Sequence, residues 1–228
     1  MDIIIYVRVS GMSGRTSNSG DAMTIEEIDL YWLKDDDLRR YLPGKDCGEC
    51  GTPDCAGFAN ALLMGKRKAG DCPYLDRKMA EVMDSICALN IHLGESDPML
   101  RKVPDPLLEI NGPDASSPVI LTSSSVITID ILRQVLTAAG SKCFIVPMDT
   151  KGYTVDNSVH EGTITQMAIM KAMAGSGIGE RVSHRTLLIP GLAAELKGLV
   201  ERIARWTVKV GPVSGFELPL FLLTEWTE

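Results

Sequence analysis

The sequence predicts an α/β protein: a small helical module built around four cysteines, joined to a parallel sheet covered on both faces. Two observations predict it. Cys47, Cys50, Cys55 and Cys72 crowd into one stretch, three of them within "CGECGTPDC". From residue 118 onward, short apolar runs alternate with helix-length amphipathic stretches. Such runs, in place of strict alternation, mark strands buried on both faces, as in parallel sheets whose crossovers are helices.

Residues 3–9 alternate weakly and predict a strand, and "SGMSGRTSNSGD" predicts a loose Ser/Gly-rich segment, which sets 1–23 apart. Thr24 and Glu27 form a capping box, and Ile25, Ile28 and Trp32 continue at helical spacing, opening a helical module over 24–91. Phe58 and Leu62, like Ala59 and Leu63, stand four apart and predict a short helix between the third and fourth cysteines. A second helix is expected over roughly residues 75–91, with Met79, Val82, Met83 and Ile86 on one face. Pro98, Pro104, Pro106 and Pro113 forbid a long helix and make 92–117 a linker. The sheet domain is 118–228. Its strands are "PVILT", "CFIVP", "RTLLIPG" and "WTVKVGP". Its helices are "VITIDILRQVLTAAG", "TITQMAIMKAMAG" and "LAAELKGLVERIA", and "FELPLFLLTEW" ends in a short one.

Composition narrows the function. No apolar run approaches the roughly 18 residues of a membrane span. The opening "MDIIIYVRVS" is too short and, with Arg8, too charged for a signal peptide, so a cytoplasmic protein is expected. Six cysteines in that setting point to metal or redox chemistry and away from disulfides. A net charge of -7 argues against general nucleic-acid binding, because nothing offsets phosphate repulsion. The whole excess lies in residues 1–115, with 20 acidic and 13 basic side chains, against 10 of each in 116–228.

The thiols follow C-x2-C-x4-C-x16-C. Four thiolates can ligate a [4Fe–4S] cluster, one per iron, and tight spacing lets one loop wrap three corners of the cube. Gly48 and Gly51 allow the backbone to turn sharply there. A zinc site remains open on this spacing, although zinc more often takes two close C-x2-C pairs.

"YLPGKDCGECGTPDCAGFANALLMGKRKAGDCPYL" resembles the iron–sulfur module of the corrinoid iron–sulfur protein large subunit, the gamma subunit of the acetyl-CoA decarbonylase/synthase complex. "SSPVILTSSS", "VPMDTKGYTVD", "RVSHRTLLIPGLAAELKG", "WTVKVGP" and "FLLTEW" look like successive segments of that family's C-terminal domain. The resemblance implies a [4Fe–4S] cluster on Cys47, Cys50, Cys55 and Cys72, and a flavodoxin-like (Rossmann-like) domain that holds a corrinoid. It departs in the middle: family members carry a TIM barrel between the two modules, where this chain has only the stretch near 92–117.

Sheets of this kind bind ligands at loops beyond the carboxyl ends of their strands, here 122–125, 149–154, 190–192 and 211–215. A corrinoid is large, flat and edged with amides. Thr122, Ser123, Ser124, Thr150, Gly152, Thr154, Gly191 and Gly211 offer hydroxyls and close approach in those loops. For each taken singly, turn or cap chemistry is the plainer reading. The family holds cobalt without a protein histidine beneath it, and no D-x-H-x-x-G signature occurs here.

Other residues have plain readings. His184 is expected to make a local structural hydrogen bond, and His92 and His160 have no partner pattern. Cys87 and Cys143 are expected as small buried hydrophobes. Asp35, Asp36 and Asp37 are expected to form a solvated helix edge, or else to dock a basic partner. "GSGIGE" does not lead from a strand into a helix, so it is a poor phosphate loop. Three functions compete. One is a corrinoid iron–sulfur protein that passes electrons to, or carries methyl groups on, a corrinoid in one-carbon metabolism. Its partners would be a low-potential electron donor and a corrinoid-dependent methyltransferase. The others are an iron–sulfur electron-transfer or docking module without corrinoid, and a zinc-stabilised interaction protein.

Overall fold

A computed structural model describes residues 5–8, 31–93 and 101–226. The loose segment at 10–21 and the capping box of Thr24 and Glu27 lie outside the described residues. Strand β1 (Ile5–Arg8) pairs antiparallel with β2 (Asn90–Leu93), Ile5 opposite Leu93. Trp32, expected to continue a helix at the spacing of Ile25 and Ile28, lies outside any described helix, and the first described helix is α1 (Asp35–Arg39). Asp35, Asp36 and Asp37 form its first turn, where negative charge complements the helix dipole.

Helix α2 (Cys55–Leu63) is capped by Asp54, which accepts from the Gly57 N–H, and it buries Phe58, Ala59 and Leu62. Helix α3 (Arg77–Cys87) begins later and ends earlier than its apolar spacing suggested. Asp76 caps it by accepting from the N–H groups of Lys78 and Met79, and the chain leaves the helix at Ala88, in time for Asn90 to enter β2.

The 92–117 stretch is more than a linker. Leu108–Ile110 forms β3, antiparallel to β5 (Cys143–Met148), with Leu108 opposite Ile145. Pro104 and Pro106 precede this strand and do not interrupt it, and Asn111 and Gly112 turn the chain afterwards with positive φ. β4 (Val119–Ser123), β5, β6 (Thr186–Ile189) and β7 (Thr207–Val210) run parallel, and the sheet order is β3-β5-β4-β6-β7. Numbered by appearance, the four parallel strands run 2-1-3-4, the flavodoxin-like order. All residues of β4 and β5 are buried, as their uninterrupted apolar runs require.

Alternate residues face opposite layers. Ile120, Ile145 and Leu188 meet α4 (Val126–Ala138) and α9 (Leu218–Thr224) through Ile129, Leu132, Leu136 and Leu218. Leu121, Val146, Leu187, Ile189 and Val208 share the other core with Ile169 of α6 (Gln166–Ser176) and Val200 of α8 (Lys197–Ala204). Two short helices went unforeseen: α5 (Val155–His160) and α7 (Ile178–Arg181), which Gly177 joins to α6. "LAAELKGLVERIA" is not one helix. Its first five residues belong to a 3-10 segment, Gly191–Leu196, kinked at Ala193, and only then does α8 begin.

Among the described residues, the cysteine module has no core of its own. Cys50, Cys55, Cys72, Phe58, Met83 and Ile86 share one buried cluster with Ile127, Ile131 and Val135 of α4 and with Phe216 and Leu220. Trp32 stacks on Phe216, ring centroids 4.7 Å apart. The next residue, Glu217, is 2% exposed. Arg40 Nη2 donates to its Oε2 at 3.0 Å, and the Tyr41 hydroxyl donates to its Oε1 at 2.8 Å. Burial raises the Glu217 carboxyl above its ordinary 4.5, and the Tyr41 and Arg40 contacts offset this only in part, with Asp37 adding to it. A carboxyl raised in the folded state favours folding while protonated. That increment is lost as pH rises from about 4.5 through the raised value.

Two outcomes are expected. Phe216→Ala removes a fully buried ring from the shared core and lowers stability by about 3–5 kcal/mol, read from denaturant unfolding. Gly191→Ala places a Cβ 2.8 Å from backbone atoms of Gly211, Pro212 and Val213, and overpacking of that kind costs about 1–3 kcal/mol in the same measurement.

Candidate metal centre and carboxyl-edge site

The loop carrying the first three cysteines leaves β and α geometry altogether. Gly48 and Gly51 adopt φ of 76° and 78°, and the Gly51 N–H returns to the Gly48 carbonyl at 3.0 Å. Arg67 Nη2 donates to the Gly51 carbonyl at 3.2 Å, tying the loop to the chain beyond α2. Asp46 accepts from the Cys55 N–H at 2.8 Å and closes the loop across nine residues. That N–H holds the Asp46 carboxyl below the ordinary carboxylate range. Cys55 opens α2, and Cys72 follows a 3-10 turn, Ala69–Asp71.

All four thiols are free. Cys50, Cys55 and Cys72 are buried, whereas Cys47 is exposed. The Cys50 sulfur lies 3.2 Å from the Thr52 hydroxyl. Among the described residues, no three His, Cys, Asp or Glu side chains gather closely enough to hold a single metal ion. A cube spreads its four irons over separate corners, so thiols serving one need not meet at a point.

The loops expected to bind a ligand all lie at the carboxyl edge of the parallel strands, at the ends of β4, β5, β6 and β7. The turn in strand order falls between β4 and β6, paired through Ile120 and Leu188. There, among the described residues, the buried hydroxyls of Thr122, Ser124 and Ser125 have no hydrogen-bond partner. Ser125 escaped the sequence reading, although its place in the run "TSSS" was a usable signal. Ser123 is engaged, its oxygen accepting from the Ser125 N–H at 3.3 Å. Residues 101–103 run across this turn. The Val103 N–H donates to the Ser124 carbonyl, the Val126 N–H to the Arg101 carbonyl, and Lys102 pairs with Asp149 at 3.1 Å. Beneath the edge, between Thr122, Met148, Ile189 and Pro190, the free volume is only about 10 Å³, one water's worth.

The remaining candidates have local work. The Thr150 hydroxyl donates to the Tyr153 carbonyl at 2.8 Å, around the turn that holds Gly152. The Thr154 hydroxyl donates to Asp156 at 2.5 Å, at the start of α5. The Gly191 N–H donates to the Pro212 carbonyl at 2.9 Å, and Gly211 lies against the Leu188 side chain. His184 also has a structural role: its Nδ1 accepts from the Thr186 N–H and its Nε2 donates to the Ser117 carbonyl. Burial pushes the Cys87 and Cys143 thiols up to about 12.

A wider crevice, about 600 Å³, separates the cysteine module from the end of the sheet. Arg40, Tyr41 and Tyr74 line one side, and Gly211, Pro212 and Glu225 the other. Tyr74 stands two residues after Cys72, so the crevice joins the thiol region to the carboxyl end of β7.

Comparison with known proteins bears on both halves. A family model described as CO dehydrogenase/acetyl-CoA synthase delta subunit matches residues 81–222, more than half of the chain. A second model, for an Fe-S cluster, matches residues 42–74 and takes in all four cysteines. The acetyl-CoA decarbonylase/synthase complex subunit gamma of Methanopyrus kandleri is 37% identical over 125 residues, 55% of this chain and 27% of that protein. The subunit gamma of Archaeoglobus fulgidus is 35% identical over 130 residues, 57% of this chain and 26% of its own length. Subunit gamma 1 of Methanosarcina thermophila is 30% identical over 160 residues, 67% of this chain and 34% of its own length. The chain thus spans about a quarter to a third of these relatives. With the match spanning α3 to α9 and taking in the whole parallel sheet, the chain belongs to the CO dehydrogenase/acetyl-CoA synthase delta subunit family.

Proposed function

We propose that the chain is a corrinoid iron–sulfur protein of one-carbon metabolism, with a [4Fe–4S] cluster on Cys47, Cys50, Cys55 and Cys72 and a corrinoid at the carboxyl edge of the sheet. The observation that carries this reading is the shared core: the buried thiols and the ligand-binding edge of a flavodoxin-like sheet belong to one packed body. When bound, the corrinoid would supply a cobalt centre that accepts a methyl group in its fully reduced state and returns to that state on passing the methyl on, and the cluster would supply the single electrons that restore it after oxidation.

The chain's own residues bind and shield. The glycine turns at 48 and 51 bring backbone N–H groups close to the thiol loop, and burial of three thiols keeps water from the cluster. At the sheet edge, the unpartnered hydroxyls of Thr122, Ser124 and Ser125 fit a ligand rimmed with amides, because each lacks a partner such a rim provides. Residues 101–103 must shift to expose Ser124 and Ser125. Ser123, Thr150, Gly152, Thr154, Gly191 and Gly211 shape the loops around that rim. A low-potential electron donor and a corrinoid-dependent methyltransferase are the proposed partners, and exposed Cys47 marks the side from which electrons reach the cluster.

One observation favours a second reading, an iron–sulfur electron-transfer module without its own corrinoid: the small free volume under the edge leaves no ready slot for a macrocycle's tail. Titration with cobalamin under anaerobic conditions decides between them. The sharp visible bands of the corrinoid co-elute with the protein on the first reading, and Thr122→Val weakens retention about tenfold by leaving one rim group unpaired. Cobalamin that passes through the column unbound supports the second. Both readings expect about four irons and four labile sulfides per chain, and Cys55→Ala is expected to lose most of that iron. Full iron content in Cys55→Ala overturns the ligand assignment, and one zinc per chain without sulfide overturns both readings.

A further inference from the structure

We infer that Glu217 is a positioning residue that fixes the cysteine module over the carboxyl end of β7. Both of its carboxylate oxygens are taken by neighbouring residues of that module, Oε2 by Arg40 and Oε1 by Tyr41. Those two residues lead directly into the thiol loop, with Tyr41 six positions before Cys47. Glu217 itself follows the 211–215 loop, whose Gly211 and Pro212 form the far wall of the crevice. The contact therefore joins the last turn before the cysteines to the first turn after β7. Its neighbour Phe216 makes the apolar half of the same joint with Trp32.

The chemistry of the pair indicates orientation more than strength. Apolar packing holds the modules together but is non-directional, so related dockings of the same surfaces would bury similar area. A buried carboxylate is least costly in the arrangement that supplies its two donors, and this favours a single register. For the proposed function the consequence is a fixed crevice between cluster and sheet edge. That consequence rests on the cluster-and-corrinoid reading, whereas the exchange test needs the cluster but no corrinoid.

Glu217→Gln tests the inference with little risk to folding, because glutamine keeps the shape and an acceptor for Tyr41 while removing the charge that Arg40 pairs with. In the cluster-loaded protein, hydrogen exchange at the amides of 34–46 is expected to rise by about threefold or more, while that of β6 stays at the wild-type rate. A smaller rise, or an equal rise in β6, overturns the inference, the latter because it reports general destabilisation. If Glu217→Gln fails to take up iron, the same comparison is made with Tyr41→Phe, which deletes one of the two contacts. With corrinoid bound, the variant is expected to pass electrons from cluster to cobalt about tenfold more slowly at an unchanged cluster midpoint potential, the mark of altered placement. An unchanged rate, or a slower one with a shifted potential, counts against placement. The exchange measurement needs no corrinoid, so failure of the cofactor reading leaves it intact.

Discussion

The packing of the cysteine module onto α4 and α9 is the constraint on which the rest depends. The module is too small to bury a core alone. Its helices turn Phe58, Met83 and Ile86 toward Ile127, Ile131 and Phe216, and the buried thiols lie in that same cluster. The position of the thiol loop is therefore inherited from the sheet domain. Any change in how α4 or α9 sits on the sheet moves the thiols with it.

The two halves of the candidate site are built on different physical terms. The thiol loop gives up regular backbone geometry, at Gly48, Gly51 and Asp46, so that three cysteines can share one turn of chain. The sheet edge keeps regular strands and leaves polar groups unsatisfied where β4 ends, at Thr122, Ser124 and Ser125. Buried groups without partners are rare in folded proteins, and each calls for an explanation. The Lys102–Asp149 pair and the backbone bonds of 101–103 hold the segment just ahead of the sheet domain over that place, which makes the supposed linker part of the edge.

The strands and the thiol loop were legible because each has a strong local cause. Uninterrupted apolar runs marked β4 and β5, and the glycines between closely spaced cysteines marked the irregular thiol loop. β3 was not legible, because three residues beyond a run of prolines carry too little pattern to announce a strand, and only the open edge of β5 gives them a partner. α3 ended early for a similar reason: its apolar spacing continues, but pairing with β1 takes Asn90–Leu93. Of the eight residues expected to touch a cofactor, Thr122 and Ser124 proved unpartnered, while Thr150 and Thr154 are engaged in turn and cap bonds. Residue type alone does not separate these cases, since a hydroxyl reads the same in a cap and in a binding edge.

By itself the sequence determined the cysteine spacing and the parallel sheet, because spacing and periodicity are local properties that a chain carries before it folds, and the resemblance of its segments pointed to the family. Only the tertiary structure decided that the two modules share a core, that Arg40 and Tyr41 meet a carboxylate more than 170 residues away, and which hydroxyls at the sheet edge lack partners. Those are relations between distant segments, set by which surfaces bury each other, and no single stretch of chain contains them.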